Sequence, residues 1–120
     1  MKRVYVAGPY SADNVLDVLK NIVRGEKACA TLFALGFAPF CPWHDESFVI
    51  DKPDNDFSVQ QFYDFSMAWL RVSDAVFLIN GWHKSKGTLA EIAEADKLYI
   101  PVFTTIPALI EWDRAGENNI

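Results

Sequence analysis

Apolar residues fall along this chain in two alternating rhythms, and the changes of rhythm mark its elements. Val4 to Ala7 is an unbroken β-branched and aromatic run ended by Gly8-Pro9, which predicts a strand halted by a turn. From Val15 the apolar positions Val15, Val18, Leu19, Ile22, Cys29, Leu32 and Phe33 recur close to every 3.6 residues. A long helix is therefore expected, with Ser11 or Asp13 as its N-cap and Gly36 as its C-cap glycine. Phe37 to Phe40 predicts a short second strand, and Cys41 to Phe57, with its prolines and acidic residues, has no period and reads as a loop near a site. Ser58 with Gln61 forms a capping-box pattern ahead of Val59, Phe62, Phe65, Trp69 and Leu70, so a second helix should end near Val72. Ala75 to Ile79 is the continuous apolar run of a strand buried on both faces, Thr88 to Leu98 is helical, and Ile100 to Phe103 is a fourth strand. A short helix over Pro107 to Trp112 and a loose tail, "AGENNI", complete the pattern.

Strands that alternate with helices pair in parallel through right-handed crossovers. The fold expected is a single doubly wound α/β sheet, Rossmann-like or flavodoxin-like, with strand order 2-1-3-4 and helices on both faces, one domain over residues 1–120. In such a sheet the ligand crevice lies at the carboxyl ends of the strands, where successive connections leave in opposite directions. Here that point falls between the first and third strands, where the loops "GPYSADN" and "GWHKSKG" meet.

Composition narrows the class of ligand. A net charge of -5 argues against a surface built for nucleic-acid phosphates, while leaving room for a small anion bound locally. Cys29 and Cys41, the two cysteines, do not indicate a disulfide framework, and the opening "MKRVYVAG" is too short an apolar run for a signal segment or a membrane span. A cytoplasmic protein with no membrane partner is expected. His44 and His83 with Cys41 and Asp45 suggest a metal, but one Cys-x-x-His does not supply the four ligands of a structural zinc site, so neither a metal nor a cofactor is expected.

The stretch "GWHKSKGTLAE" admits two readings. Ser85, Lys86 and Gly87 open a helix, and free backbone N–H groups at such an end bind phosphate well, helped by the macrodipole and by a glycine that admits close approach. Equally, Ser85 caps the helix and Gly87 eases the turn, and Thr88-x-x-Glu91 is itself a capping box in which the glutamate needs no other role. Gly8, Pro9 and Tyr10 suit a turn or a ligand contact, Tyr5 suits the core, and Trp43 and Trp82 flank the expected mouth, where they would stack on a flat base or cover the core edge. The acidic residues of the Asp45 to Asp56 loop read as solvated.

Taken together, "VYVAGPY", "WLRVSDAVFLINGWHKSKGTLAEIAEADKLYIPV" and the spacing of the strands resemble the nucleoside 2-deoxyribosyltransferase-like superfamily over most of the chain. The resemblance implies that Glu91, early in the helix after the third strand, attacks the anomeric carbon and displaces the base. It is greatest to the nucleoside 5′-monophosphate N-glycosidase branch, which implies phosphate contacts at Ser85 and Gly87 and a site role for Tyr5. It also implies a homodimer in which the C-terminal region, at Asn118 or Asn119, reaches the neighbouring site. One position departs from the pattern: where related sequences place an aspartate three residues before the tryptophan of "WL", to protonate the departing base, this chain has Ser66. Asp64 lies two positions earlier, about 200° around the helix, and is no simple substitute. Asp74, at the wrong end of its strand for the crevice, is expected to be structural.

Three functions follow. The first is hydrolysis of a nucleoside or deoxynucleoside 5′-monophosphate to free base and sugar 5-phosphate, with Glu91 as nucleophile, Tyr5 beside it, Gly8, Pro9, Tyr10, Ser85, Lys86 and Gly87 binding substrate and phosphate, and no cofactor. The second is transfer of the sugar to another base by a 2-deoxyribosyltransferase. The third is a nucleotide-binding module that has lost catalysis.

Overall fold

The computed structural model describes residues 1–118. Four strands, β1 (Arg3–Ala7), β2 (Ala38–Phe40), β3 (Ala75–Leu78) and β4 (Val102–Phe103), form one parallel sheet in the order β2-β1-β3-β4. Five helices connect and cover them: α1 (Val15–Ala34), α2 (Glu46–Asp51), α3 (Val59–Leu70), α4 (Lys86–Lys97) and α5 (Ile106–Asn118). The doubly wound fold and strand order expected from the pattern are those observed.

The period of two along the central strands divides the core. Val4 and Val6 of β1 with Ala75, Phe77 and Ile79 face Ile22, Cys29 and Leu32 of α1 and Leu109 of α5. Tyr5 and Ala7 with Val76 and Leu78 face the other way, onto Leu70 of α3 and Ala95 of α4. Because β1 from Val4 onward and all of β3 are covered on both faces, these residues are apolar throughout, and the run carries no alternation to read in sequence.

Several local details differ from the sequence reading. The N-cap of α1 is Asn14, neither Ser11 nor Asp13, and its Oδ1 accepts the Asp17 N–H at 2.9 Å. Gly36 ends the same helix at a φ of +93°, the left-handed conformation expected of a glycine there. Part of the Cys41 to Phe57 loop is helical: a 3₁₀ turn at Pro42–Asp45 runs into α2, which buries none of its residues and so leaves no apolar stripe. The last helix does not stop at Trp112 but continues to Asn118, taking in most of the expected tail. Asn119 lies outside the described residues. No helix among them is long and apolar enough to cross a membrane.

Two glycines hold the layers close. A Cβ on Gly25 of α1 would sit 2.2 Å from the Trp43 ring, and one on Gly8 would sit 2.2 Å from Ile79 Cγ1. Trp43 thus lies flat on the helix, 1% exposed, with its indole N–H donating to the Pro9 carbonyl at 3.0 Å. This bond ties the segment after β2 to the turn after β1.

Candidate active site

β1 points Tyr5 into the face covered by α3 and α4, and α4 turns Glu91 back toward the same spot. Tyr5 is fully buried, and its hydroxyl is the one buried side-chain polar atom without a hydrogen bond among the described residues. It nevertheless faces the Glu91 carboxylate and the Ser66 hydroxyl closely enough for both to bias its ionisation. Burial first, and then the charge of Glu91, hold the phenol far above its ordinary proton affinity, so Tyr5 stays a neutral donor. Glu91 is part-buried, and loss of water pushes its carboxyl up to about 7 against a smaller lowering by Tyr5. A carboxyl so poorly solvated, set beside a buried hydroxyl, is the kind of arrangement that marks a candidate functional site.

The start of α4 decides between the two capping assignments. The N-cap is Ser85, whose Oγ accepts both the Thr88 N–H at 3.2 Å and the Thr88 hydroxyl at 2.9 Å. Thr88 is therefore inside the helix, and the Thr88-x-x-Glu91 capping box does not form. Glu91 is released from that role. Having accepted twice, the Ser85 hydroxyl keeps its own proton to donate outward. The first ladder bond, Leu89 N–H to the Ser85 carbonyl at 3.0 Å, leaves the N–H groups of Lys86 and Gly87 ahead of it. Gly87 has neither a positive φ nor a crowded Cβ position, the nearest atom being a Tyr63 ring carbon at 3.8 Å. The fold does not require glycine there. Lys86 is exposed.

The other sequence candidates divide. Gly8 is needed for the close approach of Ile79, and Pro9 packs beside Gly81, whose φ of +89° turns the chain out of β3. Both shape the junction of the two loops. Arg24 of α1 clasps that junction by donating to the Asn80 carbonyl. Trp82 is part-buried against the α3 and α4 face, its ring edge-on to His83 at 5.8 Å. Trp43, expected at the mouth as a stacking residue, is in the core instead, with one face on Gly25 and no face open to a base. Asp64 is exposed and accepts from Gln60 Nε2 at 2.8 Å, so it does not stand in for the carboxyl missing at Ser66. Asp74 accepts the Arg3 N–H at 2.7 Å at the amino end of β3, a structural role.

Tyr10 leads to a residue that sequence reasoning passed over. Its hydroxyl donates to Asp45 Oδ1 at 2.9 Å, and Asp45 is 9% exposed although it lies in what read as a solvated loop. Nothing in the local pattern separates Asp45 from Asp51, Asp54 or Asp56. The burial of Trp43 two residues earlier is what draws the segment in. Asp45, Phe40 and Phe65 line a cavity of about 680 Å³ that reaches α1 and α2. Phe40 also stacks on Tyr5, with ring centroids 5.4 Å apart, and is the one link from this cavity to the Tyr5–Glu91 pair, neither member of which lines it. A second hollow of about 440 Å³ lies between α2 and α3, walled by Phe48, Phe57, Phe62 and Phe65.

Residues 2–105 match the model of a family described as a domain of unknown function, DUF7768. The chain belongs to the DUF7768 family. Among solved structures, this DUF7768 domain is similar to a 2-deoxyribosyltransferase from the psychrotolerant bacterium Bacillus psychrosaccharolyticus, with a TM-score of 0.56 and 21% identity over 83% of this chain and 69% of that one. At that identity the likeness is one of fold. No curated protein matches the sequence.

Proposed function

We propose that this protein hydrolyses the N-glycosidic bond of a nucleoside 5′-monophosphate, with Glu91 as nucleophile. The observation that carries the reading is the dehydrated Glu91 carboxyl set against the buried Tyr5 hydroxyl, on the helix whose first turn offers Ser85 Oγ and two N–H groups. Six residues at about 1.5 Å rise separate Ser85 from Glu91 by about 9 Å, comparable with the reach from a 5′-phosphate to the anomeric carbon. In the first step a Glu91 oxygen bonds to that carbon while the bond to the base nitrogen breaks, and the bonding pair leaves with the base, which takes up a proton. In the second step water attacks the same carbon, the ester opens, and Glu91 returns as carboxylate with release of sugar 5-phosphate. Tyr5, a neutral donor throughout, steadies the carboxylate whenever it is free. A homodimer in a reducing, cytoplasmic setting belongs to the same reading, and light scattering tests its stoichiometry.

A second reading is supported by the fold shared with a 2-deoxyribosyltransferase: a second base, not water, takes the sugar from Glu91. One chromatographic experiment separates the two. Enzyme is incubated with each common nucleoside and 5′-monophosphate, with and without a free second base. Hydrolysis gives base and sugar phosphate from the monophosphate whether or not a second base is present, and transfer gives a new nucleoside only when it is. Glu91→Ala should lose at least about 10³ in rate in either case. Unchanged turnover by that variant would sink both readings.

A further inference from the structure

Departure of a nucleobase leaves a pair of electrons on its ring nitrogen, and an acid on the side of the bond opposite the nucleophile speeds the step by supplying a proton there. Ser66, beside Tyr5, carries only a hydroxyl, and Asp64 points to solvent. We infer that Asp45 is this acid. The assignment rests on the glycosidase reading above and names the residue that completes it.

Asp45 is drawn to the cavity wall by three contacts on the segment after β2 and a fourth that supports them. Trp43 is pressed on Gly25 and bound to the Pro9 carbonyl, Tyr10 donates to Asp45 Oδ1, and Asn21 Nδ2 fixes the Tyr10 backbone by donating to its carbonyl at 3.1 Å. Oδ1 is thereby occupied, while Oδ2 makes no side-chain hydrogen bond among the described residues. The carboxyl shares the wall of the aromatic cavity with Phe40, which stacks on Tyr5, and its charge adds to the effects that raise the proton affinity of the Tyr5 hydroxyl. Phe40 is already stacked on Tyr5 and Trp69, so a flat base entering this cavity would lie beside Phe65, with its ring nitrogen toward Asp45. Protonated Asp45 gives its proton to the departing ring nitrogen and becomes carboxylate, and the water that opens the ester returns a proton to it. Burial supports this by raising the carboxyl's proton affinity, with Glu46 adding to the effect and the Tyr10 bond opposing it. The other titratable groups on the cavity wall are Glu26 and Cys29 of α1 and Cys41 and His44 after β2.

The test uses the nucleotide that the wild-type protein cleaves fastest. Asp45→Asn keeps the shape and can still accept from Tyr10, yet should slow base release by about 10²- to 10⁴-fold and abolish the decline of kcat/KM at alkaline pH, since no acid is left to ionise. Tyr10→Phe removes a bond that lowers the proton affinity of Asp45, so it should move the pH optimum upward. Asp45 is not the acid if Asp45→Asn keeps its rate within threefold, if it slows but retains the alkaline decline, or if the optimum of Tyr10→Phe does not move. Should Asp45→Asn prove too slow to profile, Tyr10→Phe decides. A wild-type protein that releases no base from any nucleotide would remove the glycosidase reading and this assignment together, whereas activity that needs Glu91 but not Asp45 removes the assignment alone.

Discussion

The Tyr5 hydroxyl and the Glu91 carboxyl face each other between the sheet and α4, and each shifts the other's ionisation: Tyr5 draws Glu91 down, and Glu91 drives Tyr5 up. Removing the hydroxyl separates its two effects. In Tyr5→Phe a buried hydroxyl is lost that meets no hydrogen-bond geometry yet still faces Glu91, so thermal stability should stay within about 1 kcal/mol of the wild type. The pKa of Glu91 should rise, because the group that lowers it is gone. Activity should fall, with its optimum displaced to higher pH. A lower melting temperature together with an unmoved optimum would show Tyr5 to be a packing residue.

Glu91 carries a stability signature of its own. Its carboxyl ionises near 4.5 when exposed and near 7 in the fold, so the folded state holds the extra proton between those values and stability falls as pH rises through that window. Glu91→Gln abolishes the effect. The variant should be more stable than the wild type by up to about 3 kcal/mol at pH 8 and no more stable at pH 4, measured by urea unfolding. Equal differences at the two pH values would mean that Glu91 is not dehydrated in the folded protein.

Ser85 has two duties, and two substitutions tell them apart. Ser85→Ala loses the cap as well as the outward hydroxyl and should cost about 1 kcal/mol of stability, whereas Ser85→Gly costs only a few tenths. If the hydroxyl holds a 5′-phosphate, both variants should lose about tenfold or more in kcat/KM on the monophosphate and little on the free nucleoside. Loss on both substrates, or by Ser85→Ala alone, would return Ser85 to capping only.

Gly25 tests the inward fold of the segment that carries Asp45. A methyl group at this position meets the Trp43 ring at 2.2 to 2.5 Å, so Gly25→Ala should destabilise by about 2 to 3 kcal/mol and shift the tryptophan emission as the ring is displaced. Activity should fall as well, because Asp45 moves with Trp43. Gly116→Ala, where no atom lies within 4 Å of the added carbon, is the control: as an exposed helical glycine it should leave stability level or raise it by up to about 1 kcal/mol, and change neither emission nor activity.

Much of this protein was determined locally and could be read along the chain. The burial of β1 and β3 on both faces is written in their continuous apolar runs, the end of α1 in Gly36, and the capping box of α3 in Ser58 and Gln61. Handedness and twist then leave few strand orders, and 2-1-3-4 is the one adopted. Each of these depends on a residue and its near neighbours, or on a rule that holds for any chain. Tertiary structure alone decided which polar groups lose their water. Asp45 does not differ in sequence context from the exposed acids after it, and it is buried because Trp43, Gly25 and Pro9, from three separate segments, draw it in. The same holds for Thr88 and Glu91, a capping box by spacing, whose roles were reassigned when Ser85 took the cap and Tyr5, more than eighty residues away in sequence, met the glutamate. Local patterns record backbone conformation, but the ionisation of a carboxyl depends on what is packed around it.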